Sequence, residues 1–130
     1  LDHHALQSLF AKLDSHYFGG KLREAHIRVE FGWVDRRRGP EASLLMGDIA
    51  GHWQPFLHLI QIDDRISDPL EIEAVLVHEM IHASVELERP LRKNENDHGK
   101  RFRRELERIY CEGIGTAHIE DEIAKYPYVP

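Results

Sequence analysis

Residues 74–85 read Ala74-Val75-Leu76-Val77-His78-Glu79-Met80-Ile81-His82-Ala83-Ser84-Val85, and the reading of this stretch decides the fold. With Leu87, its apolar side chains cover most of the circumference of a helix, so the helix belongs at the centre of a core rather than on its rim. The spacing predicts a start at Pro69, with Ser67 or Asp68 as cap, because proline is tolerated in a first turn. It predicts an end near Leu87, before Pro90. Two imidazoles and a carboxylate sit inside this apolar segment, where polar groups left unpaired are costly.

Working outward, a first helix is expected from about His3 to Tyr17. Leu6, Leu9, Phe10 and Leu13 share one face, Asp2 caps it, and Gly19-Gly20 stops it. Ile27, Val29 and Phe31 alternate with Arg28 and Glu30, the period of a half-buried strand. Gly39-Pro40 marks a turn, Ser43 to Ile49 is a second strand candidate, and Phe56 to Ile62 is a third whose apolar run predicts burial on both faces. Short connections favour an antiparallel meander. After a polar loop from Arg89 to Asp97, a last helix starts near Gly99, carries Phe102, Leu106, Ile109 and Tyr110 on one face, and ends at Gly113. The expectation is one α+β domain over residues 1–130, with a core of about 6–112 and a tail from 113 to 130.

His78 and His82 are four apart, so on a helix they face the same side with Cβ atoms ~5–6 Å apart. Both rings can then reach one zinc ion at ~2.0–2.1 Å. Glu79 lies one residue round the helix, where its carboxylate can take a proton from water made acidic by the metal without being a ligand. A catalytic zinc usually has three protein ligands. The zincin class that supplies the third as a histidine six residues after the second is excluded, because position 88 is Glu88 and the glycine position is Val85. His98 is the best candidate: it follows a loop long enough to reverse direction, Gly99 permits a close approach, and Phe102 anchors the next helix. Glu95 and Glu105 compete for the role. Asp97 either orients a ligand imidazole or caps the helix.

The pattern Leu76-Val77-His78-Glu79-Met80-Ile81-His82-Ala83 followed by His98-Gly99 and Phe102 resembles the SprT-like metallopeptidase family, which includes the Spartan proteases. Tyr17-Phe18-Gly19-Gly20-Lys21-Leu22 resembles the family segment after its first helix, and Phe31-Gly32-Trp33 resembles its first strand and aromatic turn. The likeness spans about Leu6 to Tyr110. It implies a zincin-like minidomain: an N-terminal helix, a three-stranded, mostly antiparallel sheet, an active-site helix carrying the metal motif, and a further helix. It also implies one catalytic Zn2+ held by His78, His82 and His98, with Glu79 as catalytic base. The implied substrates are proteins or peptides, including, for Spartan-type members, proteins trapped on DNA.

Composition sets bounds on partners and setting. The sequence of 130 residues has 17 basic and 23 acidic side chains, a net charge of −6, which argues against a nucleic-acid footprint over the whole surface. A local basic patch is the other reading: Arg101, Arg104 and Arg108 share a helix face, and Arg36-Arg37-Arg38 lies near Trp33, an arrangement suited to phosphates and an unpaired base. The plainer reading pairs those arginines with Glu105, Glu107 and Glu112. Cys111 is the only cysteine, so no internal disulfide and no cysteine-rich zinc ribbon lies within the sequence. No stretch has the apolar length of a membrane span, and Leu1-Asp2-His3-His4 lacks the apolar core of a signal peptide, so a soluble cytoplasmic setting is expected. The other histidines read as structural or exposed. Phe56 to Ile62 could accept a substrate chain by strand addition. The rival functions are a zinc hydrolase acting on a non-protein amide, and a non-catalytic binding module on the same scaffold.

Overall fold

A computed structural model describes residues 2–34 and 50–111, and the side chains of Tyr110 and Cys111 fall outside that description. The strand candidate Ser43–Ile49, the Arg36–Arg38 cluster and the tail from residue 113 also lie outside it.

Helix α1 spans His3–Tyr17, and the Asp2 side chain accepts from the Ala5 N–H at 2.8 Å, the expected cap. A short helix, α2 (Lys21–Glu24), follows at once, and nothing in the sequence pattern predicts it. Tertiary structure makes it. The buried Asp14 carboxylate accepts from the Leu22 and Arg23 N–H groups, each at 3.1 Å, satisfying donors that a helix start leaves open. Gly19 and Gly20 have φ of 62° and 78°, so the α1–α2 turn needs residues without a Cβ.

Three strands follow: β1 (Arg28–Gly32), β2 (Gly51–Gln54) and β3 (Leu59–Asp63), with a 3-10 turn at Pro55–Leu57 between the last two. Sheet order is β1-β3-β2. β2 and β3 form an antiparallel hairpin, Gly51 opposite Ile62 and Gln54 opposite Leu59. β1 and β3 run parallel, Arg28 beside Leu59 and Gly32 beside Asp63. The sheet is therefore mixed, which corrects the expected meander: β3 inserts between the two strands that precede it. The strand expected from Phe56 begins only at Leu59: Phe56 and Leu57 lie in the 3-10 turn and are exposed, whereas Ile60 and Ile62, in the central strand, are fully buried. That central place removes β3 as a site of strand addition, since both its edges are paired; among the described residues β1 and β2 are the outer strands.

Helix α3 spans Pro69–Glu88 with Asp68 as its cap, and α4 spans Lys100–Cys111. Val29, Ile60 and Ile62 of the sheet share one core with Leu6 and Phe10 of α1, Leu76, Met80 and Ile81 of α3, and Phe102, Leu106 and Ile109 of α4. Burying each such side chain contributes ~1.5–3 kcal/mol. The result is an α+β fold in which α3 is covered by β2 and β3, α1 and α4. Among the described residues no helix is long and apolar enough to cross a membrane.

Candidate metal centre

α3 carries Ile72, Leu76, Val77, Met80, Ile81, Ala83 and Val85 into the core, and its polar residues are carried in with them: His78 is 4 % exposed and Glu79 6 %. One turn on, His82 is half-buried. The loop after α3 folds back so that His98, just before α4, faces the same point. Nε2 of His78 lies 3.2 Å from Nε2 of His82 and 3.3 Å from that of His98, and the last two are 3.1 Å apart. Three nitrogens each ~2.0–2.1 Å from a tetrahedral ion are about 3.3–3.4 Å apart, so the triangle is within a few tenths of an ångström of the size that a single small ion would set. Three Nε2 atoms facing one point cannot all donate to one another. A shared cation would satisfy all three lone pairs.

His98 is oriented by its neighbour. Its Nδ1 lies 3.2 Å from Oδ1 of Asp97, in hydrogen-bonding reach, which turns Nε2 toward the centre. The same hydrogen bond holds the Asp97 carboxyl down at about 2. Of the two roles foreseen for Asp97, contact with the imidazole is the one seen; the turn before α4 is instead closed by Asn96, whose Oδ1 accepts the His98 N–H at 2.9 Å. Burial, followed by the nearby His78 and His98, pushes the His82 imidazole well below its ordinary pKa. A neutral ring is the form that can coordinate a metal.

Beneath the imidazoles lies Phe102, 1 % exposed, with its ring centroid 4.9, 4.7 and 4.9 Å from those of His78, His82 and His98. The sequence pointed to Phe102 as the anchor of α4; it is also the apolar floor of the cluster. Gly99 works differently from the expectation. A Cβ there would meet the Asn96 carbonyl oxygen at 2.9 Å, so the glycine serves the turn itself rather than an approach to α3.

Glu95 and Glu105, the other third-ligand candidates, are engaged elsewhere. Glu95 binds Arg89 at 2.8 Å and Arg101 at 3.0 Å, and Glu105 binds Arg108 at 2.9 Å. Among the described residues, the group of side chains able to hold a metal ion is His78, His82 and His98. The remaining described histidines stand apart from it; His58, for one, has Nδ1 2.9 Å from the Ala25 carbonyl oxygen. The proposed arginine face is also split: Arg101 turns inward, and Arg108 pairs with Glu105 with its guanidinium 5.6 Å from the Phe18 ring, while Arg104 is exposed.

One residue beside the site went unnoticed in the sequence. A Cβ on Gly51, at the start of β2, would lie 2.6 Å from Cγ1 of Val75 and 3.1 Å and 3.3 Å from Cγ and Oε2 of Glu79. The bare backbone of β2 thus rests on the helix beside the Glu79 carboxylate. A lone glycine opening a strand is the only sequence signal for this, and it is a weak one.

Fold and site together define an α+β protein with a three-histidine centre suited to a metal ion. The model of the SprT-like family matches residues 6–122, nearly the whole chain, and the chain belongs to that family. No curated protein and no solved structure matches it.

Proposed function

We propose that the protein is a zinc-dependent endopeptidase. The observation that carries this reading is the triangle of Nε2 atoms at 3.1–3.3 Å, two of them on the helix that also holds Glu79. Family membership supports the same chemistry.

In this reading His78, His82 and His98 would hold the ion. Three neutral imidazoles fit zinc by ligand type and count, and leave a fourth position for water or substrate. When bound, zinc supplies a Lewis acid that polarises a carbonyl and makes water acidic near neutral pH. The chain's own residues do the rest. Glu79 accepts a proton from the attacking water and delivers it to the leaving amine, acting as base and then acid. Asp97 orients the His98 imidazole, and Phe102 shuts water out from below, which strengthens every charge interaction above it. Gly51 lets β2, an outer strand among the described residues, run close to Glu79, so an extended substrate chain adding beside β2 would pass near the base. Proteins and peptides are the proposed substrates, among them proteins associated with or crosslinked to DNA.

The test is cleavage of an unfolded protein by the wild type and by Glu79→Gln, with bound zinc measured in both. Cleavage by the first alone, at equal zinc, is expected. Equal cleavage by both removes Glu79 from the mechanism. Repeating the assay on a DNA-binding protein, with and without single-stranded DNA, tests the substrate extension separately.

A further inference from the structure

His98 is remote in sequence from the other two imidazoles and sits in a connection between helices, so something must fix the path of residues 89–99. The loop's backbone does little of this: Glu95 N–H to the Arg92 carbonyl at 3.0 Å and Gly99 N–H to the Asn96 carbonyl at 3.0 Å are local turns. Leu91 packs against the core, and among the described residues the long-range polar ties are made by Glu95 and Arg101, placed three residues before and three residues after His98.

Arg101 is only 12 % exposed. Its Nε donates to Oε2 of Glu95 at 3.0 Å, its Nη1 to the carbonyls of Val85 at 3.0 Å and Arg89 at 3.2 Å, and its Nη2 to Arg89 again at 3.3 Å. Val85 is in the last turn of α3, three residues beyond His82, and its carbonyl also accepts the Arg89 N–H at 3.3 Å, so Arg101 adds a second donor at the point where the helix ends. Glu95 is gripped from its other side by Arg89, through Nη1 at 2.8 Å and Nη2 at 3.2 Å, and by the Arg92 N–H at 3.0 Å. The Glu95–Arg101 pair therefore closes residues 95–101 into a ring with His98 at its apex, and Arg101 fastens that ring to the end of the helix carrying His78 and His82. All three kinds of nitrogen on the guanidinium are in use, a pattern that the single ammonium of a lysine cannot reproduce.

We propose that Arg101 and Glu95 are positioning residues for the third imidazole, a latch that fixes His98 opposite His78 and His82 before an ion arrives. The inference rests on the zinc reading above and adds residues to it. Its physical content is entropic: a loop already held in its binding conformation loses little freedom when the divalent cation binds, whereas an unlatched loop must be ordered at the expense of affinity.

The experiment is a zinc titration of the full chain against a competing chelator. The variants are Arg101→Gln, Arg101→Lys, Glu95→Gln, His98→Ala, and each glutamine variant combined with His98→Ala, with circular dichroism of the metal-free proteins as the check on folding. Arg101→Gln and Glu95→Gln are expected to weaken zinc binding about 10–100-fold, as loss of groups supporting a ligand typically does. Arg101→Lys should resemble Arg101→Gln more than the wild type. In the His98→Ala background neither glutamine substitution should weaken binding further, because the imidazole they position is gone. Wild-type affinity in Glu95→Gln and Arg101→Gln overturns the latch, and so does the same fold-loss with and without His98, which marks a general structural effect. Glu95→Gln alters one partly exposed carboxylate, so it decides the matter even where Arg101→Gln does not fold. Unchanged affinity in His98→Ala itself refutes the zinc reading rather than the latch.

Discussion

At the scale of single residues, the proposed chemistry rests on a buried carboxylate and three clustered imidazoles. Glu79→Gln keeps the shape of the side chain and removes the base, so turnover should fall about 10²–10⁴-fold with zinc content unchanged. Steady-state kinetics beside metal analysis checks both halves. Gly51→Ala acts on the same carboxylate by crowding. The added methyl falls 2.6 Å from Val75 and 3.1 Å from the Glu79 side chain, so β2 or α3 must shift. Overpacking of this kind costs about 1–3 kcal/mol. Denaturant unfolding should show that loss, and kcat should fall more than zinc affinity does. The motif on α3 was legible from sequence because residues four apart on a helix face one way whatever surrounds them. For the third position the sequence favoured His98 but left Glu95 and Glu105 as competitors, since where Arg89, Arg101 and Arg108 engage the two glutamates is not written in any local pattern.

At the scale of elements, helices with a continuous apolar face were legible and those built by tertiary contacts were not. α1 and α3 begin at the residues their caps predict, Asp2 and Asp68. α2 has four residues and owes its first turn to Asp14, eight positions before Leu22. Asp14→Ala leaves two N–H groups and the Arg23 guanidinium without their acceptor, so a loss of about 2–3 kcal/mol is expected in equilibrium unfolding, in keeping with hydrogen bonds to a charged group. The loop before α4 carries a pH signature. Hydrogen bonds from Arg89, the Arg92 N–H and Arg101 lower the Glu95 carboxyl from 4.5 to about 2. Its folded-state value lies below its unfolded one, so the stability it contributes is full above pH 4.5 and disappears as pH falls through about 2. Melting curves of wild type and Glu95→Gln should therefore converge as pH drops across that window. A gap between them that widens on acidification contradicts the assignment.

For the molecule as a whole, α+β character was legible because two apolar helices frame a run of alternating and then continuous apolar strands. The sheet's connectivity was not: Phe31 and Ile62 are neighbours in parallel strands, 31 positions apart, and no local pattern distinguishes that pairing from a meander. A metal at the proposed centre would tie these parts together, since the three imidazoles come from α3 and from the connection between α3 and α4. A ligand that binds the folded chain alone stabilises it by RT ln(1 + [L]/Kd), about 2.7 kcal/mol at a hundredfold excess over Kd. Stripping zinc with a chelator should lower Tm by roughly 10 °C, and adding zinc back should restore it. The most direct check on the central claim is the metal content of the purified chain after each of His78, His82 and His98 is changed in turn to alanine. One tightly held zinc per chain is expected in the wild type, with tight binding lost in each variant. Full occupancy and undiminished affinity in any one of the three would contradict the shared centre.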